Sequence, residues 1–123
     1  MKAVLCKAYG PPESLVVEDI PSPIPGPGEV VVSVKATSVN FPDVLIIQNK
    51  YQVKPPLPFS PGSEVAGIVK TIGDGVTSVK PGDPVLAITA YGAFAEEVKT
   101  EARRLMPIPD AMDFATAAAF GLT

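Results

Sequence analysis

"EVVVSVKATSVNFPDVLIIQ", residues 29–48, joins two periodicities in one stretch. From Glu29 to Asn40 the side chains alternate. Val30, Val32, Val34 and Ala36 share one face; Val31, Ser33, Lys35 and Thr37 share the other, which is the period-two pattern of a strand. At Asn40 the period changes. Pro42 fits a first helical turn, where its missing N–H leaves no bond unmade, and Asn40 or Phe41 fits the cap position. The stretch therefore reads as one long strand, 29–40, that stops cleanly and hands over to a short helix within 40–48.

Working outward, "KAVLCKAY" (2–9) and "LVVEDI" (15–20) read as two strands of a hairpin around the turn "GPPES". The spaced prolines of "PSPIPGPGE" (21–29) favour stiff, extended backbone. Downstream, "NKYQVKPPLPFSPGSE" (49–64) is a Pro-rich loop of a length that usually carries function or mobility. "VAGIVKTI" (65–72) is a strand. "GDG" (73–75) is a tight turn in which Gly supplies positive φ. "VKPGDPVLAIT" (79–89) is a turn followed by a strand, and "AFAEEVKT" (93–100) and "ARRLMPI" (102–108) are two more. "PDAMDFATAAAFGLT" (109–123) opens a helix with Asp110 or Asp113 as cap. Roughly seven short strands with frequent turns predict a mainly β fold, a partly open barrel with short helices.

The composition narrows the function classes. The 123 residues fit one domain, and 46% hydrophobic content supports a packed core. Ten basic against thirteen acidic residues, with no basic tract, argue against nucleic acid as main partner. There is no histidine and one cysteine, so a zinc site would depend on carboxylates almost alone. Cys6, in the first strand, reads as inert core in a reducing compartment. No apolar run is long enough to span a membrane and the N-terminus lacks a signal-peptide pattern, so a cytoplasmic location is expected. The small, apolar "ATAAAFGL" (115–122) has no polar face. Either it tucks onto its own core, or the natural protein continues and this chain is its first domain.

The order of motifs adds to this reading. "GPGEVVVSVKATSVNFPD", "PGSEVAGIV", "GDGVTSVKPGDPVLA", "GAFAEEV" and "AAAFGLT" follow one another along the whole chain. In that order they resemble the N-terminal GroES-like domain of medium-chain dehydrogenases/reductases, in the zinc-free quinone oxidoreductase branch that includes zeta-crystallin. The resemblance implies that residues 1–123 form the catalytic, substrate-side domain. A Rossmann domain absent from this chain would hold most of the nicotinamide cofactor, NADPH. No Gly-rich phosphate fingerprint between strand and helix occurs here; the glycines of "GDGVTSVKPGD" sit in turns between strands. The resemblance also implies a quinone or α,β-unsaturated carbonyl as substrate and a homodimer of the parent through the other domain. The alternative, from another class, is a stand-alone, non-catalytic GroES-like interaction module.

Zinc-containing members carry Cys where this chain has Asn40, and Gly-His-Glu where it has Gly62-Ser63-Glu64. The resemblance therefore implies no metal. By their own chemistry Asn40 and Asp43 are helix caps; the resemblance makes Asn40 a site residue, donating to the carbonyl oxygen of the acceptor or to the nicotinamide ribose. Tyr51 matches a tyrosine near the substrate in bacterial quinone reductases, or is an amphipathic ring on a loop. A further tyrosine of those relatives is Leu45 here, which predicts a more apolar pocket. Thr123, ending "GLT", would lie close to the nicotinamide ring, or is a frayed terminus. Glu64 is a buried or capping carboxylate or, lacking histidine competitors, the nearest candidate base. Arg103 and Arg104 read as a solvated strand end.

Overall fold

A computed structural model of the chain describes residues 1–109 and 111–120. Among these are seven strands: β1 (Lys2–Leu5), β2 (Val16–Asp19), β3 (Glu29–Ser38), β4 (Glu64–Ile72), β5 (Pro84–Ile88), β6 (Glu97–Glu101) and β7 (Leu105–Pro107). Two short helices accompany them, α1 (Phe41–Ile46) and α2 (Phe114–Phe120). β1 and β2 form an antiparallel hairpin, and the other five strands form one antiparallel sheet in the order β6-β3-β4-β5-β7.

That order makes the sheet curl. β6 and β7 lie at opposite edges, yet only a three-residue 3-10 turn, Ala102–Arg104, connects them. In a flat sheet the edges would stand roughly 19 Å apart, four spacings of about 4.8 Å. Three residues of 3-10 turn rise only about 2 Å each. The sheet must bring its edges toward each other, which produces a mainly β, partly open barrel with few short helices.

The observed ends refine the sequence reading. β1 stops at Leu5, and Cys6 makes a single bridge to Phe59 through Cys6 N–H to Phe59 O at 2.7 Å. That bridge anchors the Pro-rich loop. Residues 102–104 form the 3-10 turn rather than part of a strand, and Arg103 and Arg104 pair with Glu101 on the exposed edge. Asp113 is the cap residue of α2, accepting the Thr116 N–H at 2.7 Å, and this bond holds its carboxyl below the usual range. Asp110, the other cap candidate, lies outside the described residues.

The one-face reading of β3 needs a correction. Val30 and Val32 are buried with Val65, Val69, Val85 and Val98, and Val34 packs against them. Ala36 instead packs against the second cluster, beneath Ala117 and Ala118 of α2. The cause is a bulge: Val34 pairs with Gly67 and Ala36 with Ala66, so Lys35 is an extra residue. One extra residue sends the following side chains to the opposite face. Val31 is buried as well, so β3 is covered on both sides at its start. Each of these valines contributes about 1.5–3 kcal/mol by leaving water. Gly67 allows the β3–β4 approach, since a Cβ there would lie 2.0 Å from the Ser33 carbonyl oxygen.

Candidate functional site

The site lies where β3 ends, α1 begins and β4 starts. Asn40 caps α1 in extended conformation, and Pro42 occupies its first turn. Asn40 and Asp43 close the helix start as a capping box. The Asp43 carboxylate accepts the Asn40 N–H at 2.8 Å, and the Asn40 carbonyl accepts the Asp43 N–H at 3.0 Å.

Opposite Ser38 in the β3–β4 ladder sits Glu64, which is 1% exposed. Its Oε1 accepts from Ser38 Oγ at 2.7 Å and from Asn40 Nδ2 at 2.8 Å. Asn40 Nδ2 also donates to Ser38 Oγ at 3.0 Å. Both hydrogens of the Asn40 amide are therefore engaged. Ser38 Oγ lies 3.0 Å from the Ala118 carbonyl too, so its single hydrogen serves either that oxygen or Glu64 and links the cluster to α2. A carboxyl this deep requires such donors in place of water. Glu64 is thus buried, the first of the two roles its sequence context allowed.

Asp43 is 6% exposed. Burial pushes its carboxyl above the usual value of 3.8, against the N–H groups of Asn40 and Gly62, with the neighbouring Glu64 charge adding to the rise. Gly62 holds φ +98, and a Cβ there would meet the Phe94 ring at 2.5 Å. Glycine at this turn lets the chain pass Asp43 and enter β4.

Asp43 also borders a cavity of about 140 Å³. Pro42 and Ile46 of α1, Tyr51 and Val53 of the Pro-rich loop, and Ser63 and Thr89 are among its walls. Ser63 and Thr89 are cross-strand partners. Thr89 N–H donates to the Ser63 carbonyl at 2.7 Å, one step past the Glu64–Ile88 pair, so the two side chains share a face. Both hydroxyl oxygens are buried without a hydrogen-bond partner.

The structure brings Tyr51 to this cavity together with Asp43. Asn40 stands next to it, bonded to Asp43 and Glu64 rather than lining the space. Leu45 lies outside the lining. Thr123 falls outside the described residues. Cys6 is buried with Ile46, Ile47 and Phe59, and burial raises its thiol, in keeping with an inert core residue. Thr89 was missed by sequence reasoning, because a lone threonine at a strand end carries no signal. Ser63 was noticed only as the replacement of a zinc ligand.

A mainly β, partly open antiparallel barrel with few short helices is the architecture of a GroES-like domain. Residues 26–110 match the alcohol dehydrogenase GroES-like domain, and the chain belongs to that family, within the medium-chain dehydrogenases/reductases. It is 37% identical to rat quinone oxidoreductase over 99% of its own length and 38% of that protein's. It is 33% identical to Escherichia coli quinone oxidoreductase, whose structure was solved in complex with NADPH, with a TM-score of 0.92 over 98% of this chain and 37% of that one. It is also 38% identical to the human synaptic vesicle membrane protein VAT-1 homolog-like protein, with a TM-score of 0.94 over 98% of this chain and 39% of that one. The chain thus spans well under half the length of these relatives.

The zinc-ligand positions of zinc-containing members do not fit a metal here. Asn40 and Ser63 are poor zinc ligands, and Glu64 is committed to Ser38 and Asn40. Among the described residues no three His, Cys, Asp or Glu side chains come together as a metal site. No helix among them is long and apolar enough to cross a membrane.

Proposed function

We propose that this chain is the substrate-side domain of a zinc-independent, NADPH-dependent reductase of quinones or α,β-unsaturated carbonyls, acting in the cytoplasm. The observation that carries the proposal is the likeness, over nearly the whole chain, to a quinone oxidoreductase complexed with NADPH. Val39 and Phe41 support it. They are 75% and 73% exposed on either side of Asn40, an apolar rim suited to covering by a cofactor domain. Dimerisation of the whole protein would run through that second domain.

Bound NADPH supplies the hydride. The residues of this chain hold and orient its neighbours. Asn40, with both amide hydrogens engaged, offers its carbonyl oxygen to a ribose hydroxyl. Tyr51 closes the acceptor side of the cleft, and the family resemblance gives Thr123 a role toward the nicotinamide. Asp43 and Glu64 keep this end of the barrel rigid rather than moving protons.

NADPH oxidation by the whole protein with 1,4-benzoquinone tests the reading; no turnover with any quinone or enone defeats it. Elemental analysis after dialysis tests zinc independence, and one chelator-resistant zinc per chain defeats that part. The 123-residue chain alone should bind NADPH weakly, since the phosphate-holding fingerprint is missing from it. Micromolar affinity in titration calorimetry would relocate the cofactor site.

A further inference from the structure

We infer that Ser63 and Thr89 form a two-hydroxyl clamp for one carbonyl oxygen, and that the cavity they border admits a single small ring or a short enone rather than an extended polycycle. This rests on the reading of the domain as the acceptor side of a carbonyl-reducing site.

Three observations converge on it. The two residues are cross-strand neighbours, tied by the 2.7 Å bond from Thr89 N–H to the Ser63 carbonyl, so their side chains rise from the same face only a few ångströms apart. Neither hydroxyl oxygen has a protein partner, although both are buried. Native structures satisfy almost all such groups, and an orphan pair beside a cavity calls for an occupant that can accept hydrogen bonds. The polar side chains of the neighbouring cap cluster are committed. The Asn40 amide gives its hydrogens to Ser38 and Glu64, and Asp43 accepts from backbone N–H groups. The buried donors left open beside the cavity thus belong to Ser63 and Thr89.

The occupant's shape follows from the walls. Pro42, Ile46, Val53 and Ile88 are apolar, and the Tyr51 ring stands among them. Such walls match a flat, uncharged body with one polar edge. An anion is disfavoured, because the Asp43 carboxyl borders the same space. The volume of about 140 Å³ is well below the 300–1,000 Å³ of pockets for drug-sized ligands. In the reaction, the acceptor gains a hydride with its two electrons from NADPH, which leaves as NADP⁺, and a proton from water. A quinone leaves as its hydroquinone, and an enone as its saturated ketone. The carbonyl oxygen carries the developing negative charge until the proton arrives, and the two O–H groups donate to it there.

The test uses the whole protein and the double variant Ser63→Ala, Thr89→Val, with cyclohexanone as a one-ring carbonyl probe. Binding is followed by chemical-shift changes at the backbone amides of residues 51, 63 and 89. Expected are shifts at those amides and a Kd at least ten-fold weaker in the double variant, the scale of one lost carbonyl hydrogen bond. In parallel, kcat/KM for 1,4-benzoquinone should fall about ten- to a hundred-fold, with NADPH affinity unchanged. Thr89→Ser, which keeps the hydroxyl, should stay within about three-fold of wild type. Equal Kd in wild type and double variant, shifts confined to other residues, or no binding at all would overturn the clamp. Cyclohexanone bound through both hydroxyls in a protein that never oxidises NADPH would uphold the clamp and remove the reductase reading instead.

Discussion

Two consecutive residues, Ser63 just before β4 and Glu64 at its start, face opposite ways. Glu64 is buried among donors: Ser38, Asn40 and the capped start of α1 surround it. Ser63, one residue earlier, shares its face with Thr89, and both hydroxyls lie without partners beside a cavity. The alternation of a strand separates a satisfied polar cluster from an unsatisfied one by a single residue. A satisfied cluster stabilises and stiffens. An unsatisfied one costs stability until an occupant supplies the missing bonds, and is available for a ligand. The difference assigns structure to one side of the strand and recognition to the other.

The strongest way to break this comparison is Glu64→Ala. It leaves the Asn40 Nδ2 hydrogen and the Ser38 hydroxyl without their buried acceptor. The chain should lose about 3 kcal/mol of stability in chemical denaturation. A loss under about 0.5 kcal/mol would mean that the Glu64 cluster does not hold this end of the barrel together.

Asn40→Asp comes next. From capping chemistry alone, Asp replaces Asn at a cap without loss. The structure predicts otherwise, because the new carboxyl would stand where Nδ2 now donates to Glu64 Oε1 at 2.8 Å. At neutral pH the variant should be about 2 kcal/mol less stable than wild type. The deficit should shrink as pH falls, since protonating one of the two acids removes the repulsion. An unchanged melting temperature at pH 7 would show that Asn40 does not touch Glu64 in solution.

Asp43 belongs to both regions, and pH separates its roles. Its folded carboxyl titrates above its ordinary value of 3.8, chiefly through burial. The folded state therefore takes up the proton first as pH falls. The contribution of this group to stability is present at and below the unfolded value and is lost as pH rises through the raised folded value. Comparing wild type with Asp43→Asn by denaturation at several pH values should show wild type gaining on the variant toward acid. A pH-independent difference would place Asp43 in contact with water, outside the buried cluster.

Smallest of all should be the stability effect of Ser63→Ala. Removing an unpartnered buried hydroxyl lifts its desolvation cost, so the variant should be as stable as wild type or more stable by up to about 1 kcal/mol. A loss above about 1 kcal/mol would show that Ser63 Oγ has a structural partner, and the contrast with Glu64 would dissolve.

Much of this was legible locally. The alternation from Glu29 to Val34, the strand's stop just before Asn40, Pro42 in the first turn and Asp113 before α2 all act within a few residues. Neighbouring side chains and backbone preferences decide such features, so they can be read in order along the chain. The sequence of motifs was likewise enough for the GroES-like fold. Long-range pairing decided the rest. The bulge at Lys35, which sends Ala36 to the α2 side, depends on how β3 packs against β4. Glu64 meets Asn40 across 24 positions of chain, and Ser63 meets Thr89 only through the β4–β5 register. No local preference encodes those distances. They follow from which faces of a curled sheet must be buried together, a property of the whole fold rather than of any stretch of it.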